Sequence, residues 1–162
     1  MAERAMVVRA ATLEDYSRVG DVLADTLEFH RQALPDVFRS TDTPPPSADF
    51  ITDLLREGTG AFLVAEAEAE GTVIGFLTIR AAVVDQPYLV SRRVGIIDNV
   101  GVAPAWRHRG VGRALMAAAH DWGRQQGLTQ VRLSVWEFNR GAIAFYESLG
   151  YSTISRSMWL TL

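Results

Sequence analysis

The sequence predicts an α+β domain in which a mixed, largely antiparallel sheet of six to seven strands is flanked by about four helices. Three observations carry this reading. Residues 61–66 and 72–84 are apolar, β-branched runs joined by a short loop around Ala69-Glu70-Gly71, the pattern of an antiparallel hairpin. Residues 94–136 read strand, helix, strand, a βαβ-like unit. Near the start of the chain, Leu13, Tyr16, Val19, Leu23 and Leu27 recur at three and four positions, as one buried helical face requires.

In order, residues 7–11 read as a short strand, and Thr12-Leu-Glu-Asp15 supplies a capping-box start to the first helix. Residues 30–47 carry Pro35 and the run Pro44-Pro45-Pro46, which cannot continue a helix. A second short helix is expected after Ser47, ending near Gly58. The hairpin follows, and residues 85–93, with Pro87, form a loop feeding a strand over 94–102. A helix is expected over 110–126, with Val111, Leu115, Ala118, Ala119 and Trp122 as its apolar stripe and Gly127 as its C-terminal cap. A strand over 129–136, a helix over 139–149 and a final strand pair over 151–162 complete the chain, with no sign of a repeat, linker or second domain across residues 1–162.

At 162 residues the chain is long enough to bury a sizeable core. A formal charge of −3 argues against a general nucleic-acid binder, which would carry a basic footprint. With no cysteine there is no disulfide, thiolate metal site or cysteine nucleophile, and His30, His108 and His120 lack metal-ligand spacing. No metal is therefore expected. The start, Met1-Ala-Glu-Arg, has no apolar leader, and no apolar run approaches membrane-spanning length, so a cytoplasmic protein without a membrane partner is expected.

The most informative stretch is 96–115, which runs from a strand through an arginine- and glycine-rich turn into a helix. The first turn of a helix leaves several N–H groups without intrahelical partners at the positive end of the macrodipole, so main chain alone can hold an anion. Gly110 and Gly112 let phosphates approach the backbone, and Arg107, Arg109 and Arg113 surround the same mouth. A Walker loop is excluded because Arg113-Ala114 follows Gly112 where Lys-Ser/Thr is needed. A dinucleotide loop needs a third small residue where Leu115 stands; with Glu137 loosely in range for a ribose, a nucleotide-binding module stays as the weaker alternative.

The remaining pattern, Arg107-x-x-Gly110-x-Gly112, resembles the acetyl-CoA pyrophosphate loop of the GNAT superfamily of N-acetyltransferases. Downstream, Asn139-Arg-Gly-Ala142-Ile-Ala-Phe145-Tyr146-Glu-Ser-Leu-Gly150-Tyr151 resembles the same family's Asn-x-x-Ala-x-x-Phe-Tyr-x-x-x-Gly-Phe/Tyr helix. The resemblance is dense over residues 94–151 and thin elsewhere. It implies a GNAT-like fold and direct attack of a primary amine, from a small molecule or a peptide, on acetyl-CoA. It implies co-substrate contacts at Val100, Val102, Arg107, His108, Arg109, Gly110, Val111, Gly112, Arg113, Asn139, Ala142 and Tyr146. A homodimer is compatible with it, and an acyl-CoA-binding regulator without turnover is the alternative.

The chemistry poses three needs. An amine with a pKa near ~10.4 must lose a proton, the developing oxyanion must be stabilised, and the thiolate must leave. By resemblance, the Val102 N–H holds the thioester oxygen and Tyr146 protonates the sulfur; periodicity alone favours Tyr146 as a core aromatic packed with Ala142, Phe145 and Leu149, and the resemblance reverses that preference. Strict alternation along the strand puts Ile96, Asp98, Val100 and Val102 on one face, which makes Asp98 the base candidate, its carboxylate desolvated among apolar neighbours. The competing reading of Asp98 is an ion pair with Arg92 or Arg93, or a strand kink. Glu137 is the second carboxylate, and water is the third option. Asn139 is expected to cap its helix. The acceptor is expected to enter past residues 30–47 and 85–93, the least regular segments.

Overall fold

The computed structural model describes residues 5–39 and 60–162. Five strands form one sheet in chain order: β1 Met6–Ala10, β2 Gly60–Ala67, β3 Thr72–Val84, β4 Arg92–Val102 and β5 Val131–Leu133. The first four are antiparallel to their neighbours, and β5 runs parallel to β4. Three α-helices accompany them: α1 Tyr16–Ala33, α2 Val111–Gln125 and α3 Arg140–Ser148. The α+β class stands, with five strands and three α-helices among the described residues in place of six to seven and about four.

Two expectations account for the difference. The helix expected after Ser47 lies outside the described residues. The strand pair expected over 151–162 is absent, and Ile154, Met158, Leu160 and Leu162 are exposed. Alternating apolar residues give a segment the pattern of a strand, but a strand exists only through a partner's N–H and C=O groups. No described strand provides them, and β5, the last in the sheet, is itself only three residues long.

α1 covers one face of the sheet, where Val19 and Val22 pack with Phe62, Val64 and Phe76. The expected face of α1 is buried in its middle, with Val19 in that cluster and Tyr16 and Leu23 packed against it, but not at its ends, where Leu13 and Leu27 are 61% and 40% exposed. The capping turn explains the exposure of Leu13. Thr12 N–H donates to Asp15 Oδ2 at 2.8 Å and closes a separate 3₁₀ turn over Leu13–Asp15, so the α-helical phase begins only at Tyr16. Arg9 donates to both Asp15 oxygens at 2.7 and 2.8 Å and also to Glu66, which ties β1, β2 and the start of α1 together.

α2 and α3 cover the opposite face. Leu115, Met116 and Ala119 of α2 and Tyr146 of α3 pack on Leu77, Ile79 and Ile97. Gly127 ends α2 as expected, at φ +70°, with Leu128 N–H donating to Gly123 O at 2.9 Å.

The feature that positions the site is a β-bulge in β4. Thr78 pairs with Asn99 and Ile79 with Ile97, so Asp98 is an extra residue without an opposite number on β3. The bulge switches the parity of the strand. Before it, Gly95 turns its N–H to β5, donating to Gln130 O at 2.9 Å. After it, Ala103 N–H donates to Ile74 O of β3 at 2.9 Å, so by alternation Gly101 also faces β3 while Val100 and Val102 face away from it.

Candidate functional site

β5 pairs with β4 only as far as Ile97 opposite Leu133, whereas β4 continues to Val102. The two strands therefore part after the bulge and leave a notch. Because of the parity switch, the edge that β4 presents to this notch carries the N–H and C=O of Val100 and Val102. The Val102 carbonyl accepts from Arg107 Nε at 3.1 Å, which draws the arginine loop to the end of β4.

The first turn of α2 stands beside the same notch. At Gly75, the register partner of Val102, an added β-carbon would lie 3.0 Å from Val111 Cγ1 and 3.1 Å from Leu115 Cδ1, so the helix presses directly on the sheet. The loop before it turns tightly, with His108 at φ +60° and Gly110, the N-cap, at φ +83°. No side chain caps the helix, and its first internal bond runs from Ala114 N–H to Gly110 O at 3.0 Å. The N–H groups of Val111, Gly112 and Arg113 thus lack intrahelical partners at the positive end of a 15-residue helix. Arg107, His108, Arg109 and Arg113 are all exposed around them. Arg109 lies over the Trp106 ring at 5.8 Å, and Arg113 donates to Ser148 Oγ at 3.2 Å.

α3 brings up the other half. Asn139 caps it as expected, its Oδ1 accepting from Ala142 N–H at 3.1 Å. One face of α3 packs Tyr146, only 9% exposed, into the cluster against which Val100, Val102 and Ala142 also pack. Burial pushes its phenol up to about 12, so it is a neutral donor throughout the physiological range. Its hydroxyl makes no hydrogen bond among the described residues. The neighbouring Tyr151, raised to about 12 by burial and then by Tyr146, shares a 2.7 Å hydrogen bond with His120 Nε2.

Asp98 is not where strict alternation puts it. The bulge turns Asp98 and Asn99 together to the α1 face, away from Val100 and Val102. There Asp98 accepts from Arg80 Nε at 2.8 Å, and Asn99 Nδ2 donates to Thr78 Oγ1 at 3.3 Å. The carboxylate is exposed and paired, not desolvated. Its partner is Arg80, not Arg92 or Arg93, because a cross-strand neighbour is set by a register that the bulge itself shifts. Glu137 lies on the surface, 3.1 Å from Arg140.

The structure gathers Phe29 and His30 from the end of α1, Phe38 after it, and Trp136 and Phe138 after β5 into one wall, with ring centroids 5.2–5.8 Å apart. The number of aromatic residues was legible in the chain, but their meeting needs the fold. Among the described residues, no three His, Asp or Glu side chains converge to hold a metal ion, and no helix is long and apolar enough to cross a membrane.

Comparison with known proteins agrees with this fold. The chain is 36% identical over 123 residues to mycothiol acetyltransferase of Saccharomonospora viridis, a match covering 72% of this chain and 40% of that relative. It thus spans about two fifths of the length of that relative. A solved structure of the BH1408 protein of Bacillus halodurans superposes with a TM-score of 0.90 at 25% identity, covering 96% of this chain and 99% of the other. An aminoglycoside N-acetyltransferase solved in complex with CoA shares the fold, with a TM-score of 0.71 at 20% identity over 98% of this chain and 95% of its own. The acetyltransferase (GNAT) family model matches residues 25–151, and with that match, the uncapped arginine-glycine loop and the parted strands, the chain belongs to the GNAT family of acetyltransferases.

Proposed function

We propose that this domain is an N-acetyltransferase that moves the acetyl group of acetyl-CoA to a primary amine by direct attack. The observation that carries the reading is the open edge of β4, whose Val100 and Val102 amides face a notch beside the uncapped first turn of α2. That turn, with Arg107, His108, Arg109 and Arg113, would hold the pyrophosphate by main-chain N–H groups and exposed charge. The β4 edge would bond the pantetheine arm as an added strand bonds a sheet edge, with Ala142 and Asn139 of α3 closing the far wall. The fit rests on orphan donors already aimed at the site.

In this reading the amine nitrogen bonds to the thioester carbon, and the Val102 N–H stabilises the oxygen that gains charge. The C–S bond then breaks, and Tyr146, a neutral phenol in an apolar setting, donates to the departing sulfur. A thiol's ordinary pKa near ~8.5 lies well below that of the Tyr146 phenol, so Tyr146 mainly holds the thiolate by a hydrogen bond while the proton arrives from the attacking nitrogen. Asp98 stands on the α1 face, where its exposed carboxylate, although paired with Arg80, would draw an ammonium to that side. The acceptor is a small-molecule or peptide amine, in keeping with the aminoglycoside and mycothiol enzymes to which the chain is similar.

Calorimetric titration with acetyl-CoA, ATP and NAD in parallel, followed by thiol release with tyramine, spermidine, kanamycin and a lysine-containing peptide, tests the reading. Binding of acetyl-CoA alone among the three and release above background hydrolysis with at least one amine are expected. Absence of acetyl-CoA binding would overturn it.

A further inference from the structure

His30 sits on the last turns of α1, and its position is fixed from two sides. One and two turns earlier, Thr26 and Val22 press on β4 at Gly101, where an added β-carbon would stand 3.0 Å from Thr26 Oγ1 and 3.3 Å from Val22 Cγ1. Further along the helix, the rings of Phe29 and His30 meet Phe138, in the connection from β5 to α3, at 5.8 and 5.6 Å. The end of α1 therefore reaches from β4 to the segment after β5, across the strands that part to form the notch. His30 is half-buried at that crossing, with Phe38 5.2 Å from its other side.

Its ring is also held in one protonation pattern. Nδ1 lies 2.7 Å from the Thr26 carbonyl oxygen, and a carbonyl can only accept, so Nδ1 carries the proton. In the neutral ring the lone pair is then on Nε2, at the end of the imidazole away from α1. The surrounding charges are already committed. Glu28 is paired with Arg31 on the same helix, Asp98 with Arg80 on the sheet, and Glu137 with Arg140 after β5. Asp36 and Arg39, in the turn that carries Phe38, are exposed, and the rings touching His30 are uncharged.

Resting on the acetyltransferase reading above, we infer that His30 Nε2 is the base that receives the acceptor's proton. An incoming R–NH3+ gives one proton to Nε2, and the nitrogen lone pair so freed forms the C–N bond to the thioester carbon. As the C–S bond breaks, the second nitrogen proton ends on the sulfur, and imidazolium returns its own proton to solvent once the amide has left. The sum is R–NH3+ plus acetyl-CoA giving the amide, CoA thiol and one proton. A ring held by a helix carbonyl and three aromatic neighbours keeps its lone pair fixed and unpaired with any cation, whereas the Asp98 carboxylate is already bound to Arg80.

The test has one arm without turnover and one with it. Long-range 1H–15N correlation of the wild-type protein, with the His30 signals assigned by their loss in His30→Gln, is expected to show the Nδ1–H tautomer; an Nε2–H tautomer overturns the inference. In the kinetic arm, kcat/KM is followed against pH with tyramine, spermidine and kanamycin. His30→Gln is expected to lose about 10²-fold or more and to abolish the acidic limb, while acetyl-CoA affinity stays at the wild-type value. His30→Phe, which keeps a ring in the wall, replaces it if the glutamine variant fails to bind acetyl-CoA. An unchanged pH profile in a variant that binds acetyl-CoA overturns the role of His30 while leaving acetyl transfer standing; a wild-type protein that does not bind acetyl-CoA overturns the acetyltransferase reading instead.

Discussion

The ring of Phe145 occupies the space that a side chain at Gly112 would need: a β-carbon added to Gly112 would stand 3.3 Å from Phe145 Cζ. The second glycine of the loop thus serves the packing of α3 on α2 as well as any approach of a ligand to the backbone. Gly112→Val should therefore do two things at once. Overpacking against Phe145 is expected to cost roughly 1–3 kcal/mol in urea denaturation, and acetyl-CoA affinity should fall in calorimetry. Gly110 separates the two effects, because its β-carbon would meet only the end of Met6 at 3.9 Å while its φ of +83° strains any other residue. Gly110→Ala should lower stability by about 1 kcal/mol, from backbone strain alone, and weaken binding by misdirecting the first-turn amides.

Tyr146→Phe keeps the buried ring and deletes a hydroxyl that has no protein hydrogen-bond partner among the described residues. Stability at pH 7 should change by no more than about 0.5 kcal/mol, and acetyl-CoA affinity should hold, while kcat falls. An unaltered kcat would make Tyr146 a core aromatic only. The pH dependence follows from the raised phenol. Stability contributed by the neutral Tyr146 ring is fully present below its ordinary value of 10.0 and is lost as pH rises through about 12. The phenylalanine variant should accordingly resist alkaline unfolding better than wild type over that window, as followed by far-UV circular dichroism.

The Arg9 cluster should govern acid stability. Hydrogen bonds from Arg9, aided by the Thr12 backbone, hold the buried Asp15 carboxylate down at about 2 from 3.8. A depressed carboxylate stabilises above its unfolded value and loses that contribution as pH falls from about 3.8 to about 2. Asp15→Asn is expected to cost about 1–3 kcal/mol at pH 7, in urea denaturation, with the difference from wild type vanishing near pH 2.

Asp98→Asn distinguishes attraction of the amine from its deprotonation. The pair with Arg80 is exposed on both sides, so its loss should cost less than about 1 kcal/mol of stability. With Asp98 drawing the ammonium, KM for spermidine should rise while the acidic limb of kcat/KM against pH stays in place. A vanished limb in this variant would return the proton to Asp98.

Much of this protein was determined by the chain alone, because the relevant signals are local. The ends of β3 at Thr72 and Val84, the caps at Asn139 and Gly127, and the uncapped arginine-glycine turn depend on residues within a few positions of one another. Leu13 left the buried face of α1 for a local reason too, since a 3₁₀ turn took the place of the first helical residues. What only tertiary structure decided is the partner of each side chain. A single extra residue at Asp98 reverses which way every later group of β4 points; a lone carboxylate in an apolar row marks a strand kink and a buried base alike, and only the pairing with β3 decides for the kink. That reversal turned Asp98 to Arg80 and the amides of Val100 and Val102 to the notch. The contacts of Gly112 with Phe145 and of His30 with Phe138 join positions far apart in the chain. They exist only because α1, α2 and α3 are pressed on one sheet, and the segment at 151–162 lacks strand structure because no described partner offers it a ladder.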